Sequence, residues 1–307
     1  MTSKPEPDAA AGARPTGATS PGEAAANIQQ MFDTIAPTYD RANHVLSVGV
    51  DRYWWARAAR TLRPILYRPE AVVLDLCCGT GDMTLALDKH RPKQGPTLYG
   101  LSLPHKKSDR ASRTRSLKSG SIAPILAVDF SHAMLALALA KFAGRNITPI
   151  EADALHLPLA DASVDLVTSA FGFRNLSDYP AGLTELFRVL RPGGEIAILD
   201  FNQPRGPLGL AYNAYFRHVL PRVGGLISRD PAAYAYLPDS VKKFPRPPQM
   251  KELITAAGFV RPTWTRYTFG IAGLYRAAKP CRDTKRQHRD IFASNQSGTG
   301  PHSSDRS

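Results

Sequence analysis

The chain has 307 residues, a formal net charge of +13, 43% hydrophobic and 21% charged side chains. These values fit a soluble globular protein with one large domain or two small ones, and no apolar run approaches the ~20 residues of a membrane-spanning helix. Three cysteines, two of them adjacent, exclude a disulfide framework and suit a reducing cytoplasm.

The charge is unevenly spread. Residues 91–120 carry eight basic side chains against one acid, Asp109, a net +7. The first 26 residues contribute −1, residues 281–307 contribute +2, and the remaining body holds +5. The basic balance therefore belongs mostly to one segment and not to a nucleic-acid-binding face of the fold.

Residues 1–26, rich in Ala, Pro, Gly, Thr and Ser, have no apolar core for a secretory signal and are expected to form a disordered tail. A single domain is expected over residues 27–280. Its first part, "IQQMFDTIAPTYDRANHVLSVGVDRYWWARAARTL", has helical apolar spacing broken by Pro37 and Gly49, which predicts two or three short helices. "AVVLDL" reads as a buried strand and "DMTLALDKH" as the helix after it. Residues 92–122 are polar, basic and rich in Ser, Gly and Pro, and read as an insertion. "ILAVD" predicts a second strand, followed by a helix capped by Ser131. "NITPIEAD" and "VDLVTSA" predict strands three and four, and "YPAGLTELFRVL" a helix ended at "RPGG". "EIAILD" is the fifth strand, residues 207–256 are mostly helical, and two strands follow. Residues 281–307 are expected to be a second disordered tail. Five alternations of strand and helix predict an α/β fold with a doubly wound, mostly parallel sheet, whose ligands bind at the C-terminal strand ends.

The first of those ends carries "LDLCCGTGD", residues 74–82. Gly79 and Gly81 let the backbone approach a ligand closely. A dinucleotide loop calls for a small residue three places after the second glycine, but Thr84 stands there. Asp75 and Asp82 flank the turn, which opposes a pyrophosphate and suits a ligand with ammonium and sulfonium charges. The second strand ends in Asp129, 48 residues after Gly81 against roughly 20 in dinucleotide enzymes. The insertion accounts for the surplus. Asp129 suits two ribose hydroxyls, and Asp153 with the Ala154 amide suits an adenine edge. Cys77 and Cys78 are adjacent, so they lack metal-clamp spacing and no metal is expected. The cofactor is read as S-adenosyl-L-methionine (SAM).

Several stretches then resemble one family, the ubiquinone/menaquinone-biosynthesis C-methyltransferases: "MFDTIAPTYDRANHVLSVGVDRYWW", "VLDLCCGTGDMT", "ADALHLPLADASVDLVTSAFGFRN", "RVLRPGGEIAILDF", "AYNAYFRHVLPRVGG" and "DPAAYAYLPDSVKKFP". The resemblance runs from about Met31 to Lys279, apart from the insertion. It implies a class I SAM-dependent methyltransferase fold with seven strands, and methylation of a ring carbon on a prenylated hydroquinone. It also implies Thr80, Asp129 and Asp153–Ala154 as cofactor contacts. Many relatives carry a serine just before "FGxRN", where this chain has Ala170. Ser169 faces the other way in a strand and is not counted as a contact.

The ring carbon becomes nucleophilic when its neighbouring hydroxyl loses a proton, so the reduced quinol is the expected substrate. Arg174 is the candidate to stabilise the phenolate, Asn175 to orient a hydroxyl or water, and Tyr39 to close over the cofactor. His218 is expected to be a packed helix residue. Tyr212, Tyr215, Phe216, Tyr234 and Tyr236 are candidates for the wall around a quinone. Menaquinone is preferred, since "LDLCCGTGD" looks closer to relatives from menaquinone-only bacteria. The ubiquinone-pathway benzoquinol, another lipid or RNA are the alternatives. RNA or DNA is disfavoured, because "SAFGFRN" stands where such enzymes carry an NPPY-like motif. Transient contact with the inner face of the cytoplasmic membrane and a possible homodimer complete the reading.

Overall fold

The computed structural model describes residues 12–13, 15, 18–92, 122–204, 206–215, 218, 222 and 231–281. Most of the insertion and the C-terminal tail beyond Cys281 lie outside the described residues.

Helix α1 (Pro21–Ile35) opens the fold, followed by α2 (Tyr39–Leu46), α3 (Val50–Thr61) and α4 (Arg63–Leu66). The expected tail is shorter than 26 residues, because α1 begins at Pro21. The Ser20 hydroxyl accepts the Glu23 amide, and the Glu23 carboxylate accepts the Thr19 amide at 2.8 Å. Together they satisfy the first-turn donors that a helix leaves open. Proline at the first helical position costs nothing there. Even Ala13 is buried and donates its amide to the Leu176 carbonyl at 2.7 Å.

Seven strands form one sheet in the order β3-β2-β1-β4-β5-β7-β6. They are β1 (Val73–Leu76), β2 (Ile125–Asp129), β3 (Ile147–Glu151), β4 (Val164–Ala170), β5 (Leu190–Phe201), β6 (Val260–Tyr267) and β7 (Ala272–Ala278). The first five run parallel, and β7 is antiparallel to both of its neighbours. The alternation read from the sequence is borne out, with one local difference. "RPGG" does not simply end a helix; it loops out within β5, where Leu190 pairs with Val164 and Glu195 with Leu166. Gly193 has φ 82°, a left-handed conformation that glycine adopts freely.

The sheet is covered on both faces. Neighbouring side chains of β1 point to opposite sides, Val73 to the cluster with Trp54, Leu62 and Leu66, and Leu74 to the cluster with Leu183, Leu186 and Ile254. The first cluster is completed by α3 and α5 (Asp82–Asp88). The second is completed by α7 (Tyr179–Val189) and by a later helix over Pro247–Ala256. Helix α6 (His132–Phe142) packs on β2 and β3, with α1 across it. Gln29 of α1 reaches the Phe130 carbonyl at 2.7 Å, and Ser131 donates to Asp33 at 2.5 Å. Helices α8 (Gly206–Ala214), α9 (Pro231–Lys243) and α10 (Pro247–Ala256) follow β5.

The stems of the insertion leave from the N-terminal edge of the sheet. Ala123 donates to the Pro69 carbonyl, and Asn146 holds the Ile122 carbonyl at 2.7 Å, just before β2 begins. Arg91, counted among the basic residues of that segment, is itself buried and bonded to the Ala71 carbonyl at 3.0 Å.

Two expectations follow for stability. Gly81 has φ +91°, and a Cβ there would sit 2.4 Å from the Phe142 ring. Gly81→Ala should cost about 1–3 kcal/mol through overpacking and backbone strain, lowering the melting temperature in a thermal scan. Asp75 is fully buried, and burial raises its pKa from 3.8 to about 6. The folded chain thus holds this proton more tightly than the unfolded one. Its contribution is complete below pH ~4 and is lost as pH rises through ~6. Asp75→Asn should flatten that part of the stability–pH curve. Asp129, also raised to about 6 by burial, keeps the remaining slope.

Candidate active site

The turn after β1 is built over Asp75. One oxygen of this carboxyl accepts the Thr84 hydroxyl of α5 at 2.6 Å, the other the Thr168 hydroxyl of β4 at 2.6 Å. Asp75, expected as a cofactor contact, lines neither of the two cavities. Both oxygens are turned inward, and the residue holds the turn from below. Gly81 lines neither cavity either; its role is to let α5 start against Phe142.

Gly79, Asp129, Asp153 and Ala154 do come together, around a cleft at the ends of β1, β2 and β3. The Asp129 carboxylate accepts the Gly79 amide at 2.8 Å and the Ser131 amide at 2.9 Å. It therefore clips the glycine turn to the start of α6. Asp153 accepts the Leu155 amide at 2.9 Å and is exposed at the cleft. Phe130, Met134 and Leu155 add apolar walls. Gly172 closes the floor, since a Cβ there would fall 2.3 Å from the Cys77 Cβ. Burial, reinforced by Asp129, pushes the Cys77 and Cys78 thiols up, so both stay uncharged.

This donor set fits SAM. A carboxylate waits at the strand end for paired hydroxyls, and a second carboxylate stands beside an amide for a base edge. The glycine turn carries no cationic side chain that would favour phosphate.

A second, larger cavity of about 360 Å³ adjoins the first. The two share Phe32, Tyr39, Cys77, Gly79, Ala170 and Phe171. Its walls are mostly apolar and include the aromatic rings of Trp54, Trp55, Phe201, Tyr212, Tyr215 and Tyr236. Three of the tyrosines read as a quinone wall thus line it, while Phe216 and the Tyr234 side chain lie outside the described residues. The Tyr215 hydroxyl bonds the Leu46 carbonyl at 2.9 Å, tying α2 to the end of α8. Ala170 faces both cavities and Ser169 faces neither, as the strand alternation requires.

The candidate catalytic residues occupy different places. Tyr39 stands between the two cavities, its phenol pushed up by burial, so it is a neutral donor. Asn175 lines the cofactor-side cleft and accepts the Tyr236 hydroxyl at 3.2 Å. Arg174 reaches the larger cavity, yet it is buried against Asp200 at 3.1 Å. It also bonds the Phe171 carbonyl and lies 5.3 Å over the Phe201 ring. The pair with Asp200 has little net charge, so Arg174 anchors the "FGFRN" turn more than it offers a free cation. His218 is exposed and lines neither cavity; it is not the packed helix residue expected, but it is no candidate base either.

Three groups escaped the sequence reading. Asp200 ends β5 and receives the Arg174 amide at 3.0 Å. Lys141 places its ammonium 2.7 Å from Asp40, 2.8 Å from Asp82 and 3.1 Å from the Thr80 hydroxyl, joining α6, α2 and α5. Thr80 itself donates to Asp40 at 2.5 Å and lines the larger cavity. Finally, Asp51 of α3 lines the larger cavity and is bonded to His44 of α2 at 2.6 Å. Their spacing of seven residues, across the turn at Gly49, was the available signal.

Comparison with known proteins agrees with this architecture. The family model described as the ubiE/COQ5 methyltransferase family matches residues 20–279. The chain is 40% identical over 251 residues to a demethylmenaquinone methyltransferase of Deinococcus radiodurans, covering 81% of this chain and 90% of the relative. A protein of the same name from Thermus thermophilus is 40% identical, with 81% and 100% covered. A ubiquinone/menaquinone biosynthesis C-methyltransferase from Geotalea daltonii is also 40% identical, with 82% and 96% covered. Among solved structures, a SAM-dependent methyltransferase from Thermotoga maritima superposes with TM-score 0.52 at 17% identity, covering 81% and 98%. That likeness concerns the fold alone. With its class I sheet and its match along residues 20–279, the chain belongs to the ubiE/COQ5 family of SAM-dependent methyltransferases.

Proposed function

We propose that the protein methylates a ring carbon of a prenylated demethylmenaquinol, giving menaquinol. The observation that carries this reading is the aromatic cavity of about 360 Å³ that opens onto the cofactor cleft through Tyr39, Cys77, Gly79, Ala170 and Phe171. An aromatic, nearly apolar wall suits a flat bicyclic ring with a greasy tail. The relatives from Deinococcus and Thermus are named for this substrate. The ubiquinone-pathway benzoquinol is the second reading, supported by the Geotalea relative's name.

When bound, SAM supplies a methyl group already activated on a sulfonium. Gly79, Asp129, Asp153 and Ala154 are the residues we assign to hold it. What remains for the chain is to orient the quinol and remove a proton. A free phenol titrates near ~10, so the hydroxyl next to the reacting carbon needs a base. Asp51 and Asp82 both line the cavity; Asp82 is paired with Lys141 at 2.8 Å, whereas Asp51 is backed by His44, whose side chain is 41% exposed to solvent. Asp51 takes the hydroxyl proton and His44 passes it outward. After the new carbon–carbon bond forms, the ring hydrogen at that carbon leaves as a proton and the oxygen regains one. One proton is released for each methyl transferred. Tyr39, as a neutral hydroxyl between the two cavities, orients the quinol oxygens, and Asn175, held by Tyr236, lies on the cofactor side. Arg174 fixes the turn that carries Asn175.

No described helix is long and apolar enough to cross a membrane. Collection of the prenylated quinol from a bilayer surface is part of this proposal. Binding of nucleic acid is not part of this reading.

Quinone profiling by mass spectrometry is the direct test, in a host that makes both quinone types and lacks its own C-methyltransferase. Wild type should restore methylated menaquinone, and Asp129→Ala should not. No restoration from soluble, SAM-binding protein would refute the quinol assignment. In a purified assay, Asp51→Asn should lower kcat ~10²–10⁴-fold, the usual worth of a general base, with SAM affinity retained. Because burial raises Asp129 to about 6, SAM affinity measured by calorimetry should weaken as pH falls below that value.

A further inference from the structure

The larger cavity is bordered by two turns whose side chains contradict ordinary surface design. The turn between α2 and α3 carries Val48, 84% exposed, and Val45 just before it is 55% exposed. The turn between β6 and β7 carries Phe269, 77% exposed. Val48 and Thr268, the neighbour of Phe269, both line the cavity. The Trp54 indole donates to the Thr268 hydroxyl at 2.7 Å and pins the second turn to α3, next to the first. The apolar tips therefore flank one opening.

The backbone of both turns is strained as well. Val48 has φ +53°, Thr268 +42° and Phe269 +57°, in the left-handed region that side chains avoid, β-branched ones most of all. Glycine would relieve each position, yet apolar or branched residues stand there. Strain kept together with exposed apolar groups points to a surface with a use.

The surrounding charge identifies its partner. The arginines beside the two turns are those of α2, the first half of α3 and the end of β6, whereas Arg63 is bonded to His90 at the opposite edge, Arg276 is paired with Glu195 at 2.6 Å, and Asp51 is buried against His44. Arg41, Arg52 and Arg266 are exposed, and Arg57 lies 4.3 Å over the Tyr267 ring. Apolar tips ringed by guanidinium groups are complementary to an anionic lipid bilayer, with hydrocarbon below and phosphate around. The described stems of the +7 insertion leave the sheet at the N-terminal edge, opposite the cavity.

We propose that Val45, Val48 and Phe269, with Arg41, Arg52 and Arg266, form the face that docks on an anionic membrane and loads the cavity with a lipid-borne substrate. This rests on the quinol reading for the cargo, but not for the docking itself.

The full chain would be sedimented with vesicles of phosphatidylglycerol and phosphatidylcholine, and with phosphatidylcholine alone. Two double variants, Val45→Asp/Phe269→Asp and Arg52→Glu/Arg266→Glu, would run beside wild type. Each arginine near such a surface is worth about fivefold in binding, so the second variant should bind about 30-fold more weakly or worse. The first should lose binding to a similar extent, and wild-type binding should weaken with salt. SAM affinity and turnover of a short-chain, water-soluble demethylmenaquinol should stay unchanged in both variants. Turnover of a long-chain quinol held in vesicles should fall with binding. Should the aspartate pair fold poorly, Phe269→Ser with Val45→Ser replaces it. Vesicle binding that is equal for wild type and folded variants would overturn the proposal. So would an oligomer that the variants dissociate without loss of vesicle binding, which would assign the face to a second copy. Failure to turn over the soluble quinol, with vesicle binding intact, would count against the substrate and not against the docking face.

Discussion

A carboxyl group sealed inside the sheet carries the arrangement. Asp75 is fully buried, and burial raises its pKa to about 6. It is tolerated because Thr84 and Thr168 each give it a hydroxyl. Those two partners sit on α5 and β4, on either side of the glycine turn. A buried polar group that needs two fixed donors sets the distance between the elements bearing them. Asp129 repeats the device one strand further on, with backbone amides as donors. The turn between them has little freedom left, which is what a cradle for a flexible ligand requires.

Much of this was legible in the chain. β-branched apolar runs ending in acids gave the strand ends, and the residue three places after Gly81 distinguished the cofactor type. The partners of Asp75 were not legible, because a strand-end acid looks the same in sequence whether or not two threonines give it their hydroxyls. Only the positions of Thr84 and Thr168 in space decide it. The "SPGE" cap at residues 20–23 carried a helix start that the surrounding alanine-rich, proline-rich composition concealed. Local chemistry outranked composition there. Asp200, Lys141 and the His44–Asp51 pair were harder. Each depends on contacts across 7 to 101 residues of the kind no periodicity marks, such as the 26 residues between Arg174 and Asp200.

The site divides its polarity sharply. Carboxylates and amides gather at the ends of β1 to β3, and aromatics gather under α2, α8 and α9. Between them stand Tyr39 and the "FGFRN" turn, the latter locked by a buried ion pair. A buried pair contributes little net stability, but breaking it leaves an unpaired charge. Arg174 and Asp200 accordingly serve geometry: they keep the wall between cofactor and substrate in one shape while loose apolar contacts accommodate the ring.

The stems of the insertion have a consequence for what aligns the cofactor cleft. They join the sheet at Ala123 and Arg91, whereas Asp129 lies at the far end of β2, roughly 13 Å from Ile125 at strand spacing. Between stem and site runs a paired strand, with Ile125 to Val128 in register with Val73 to Leu76. Covalent continuity through residues 93–121 is thus not what aligns the glycine turn with Asp129; the β1–β2 pairing is. What brings the two together lies in the paired strands and in the Gly79 amide that Asp129 accepts.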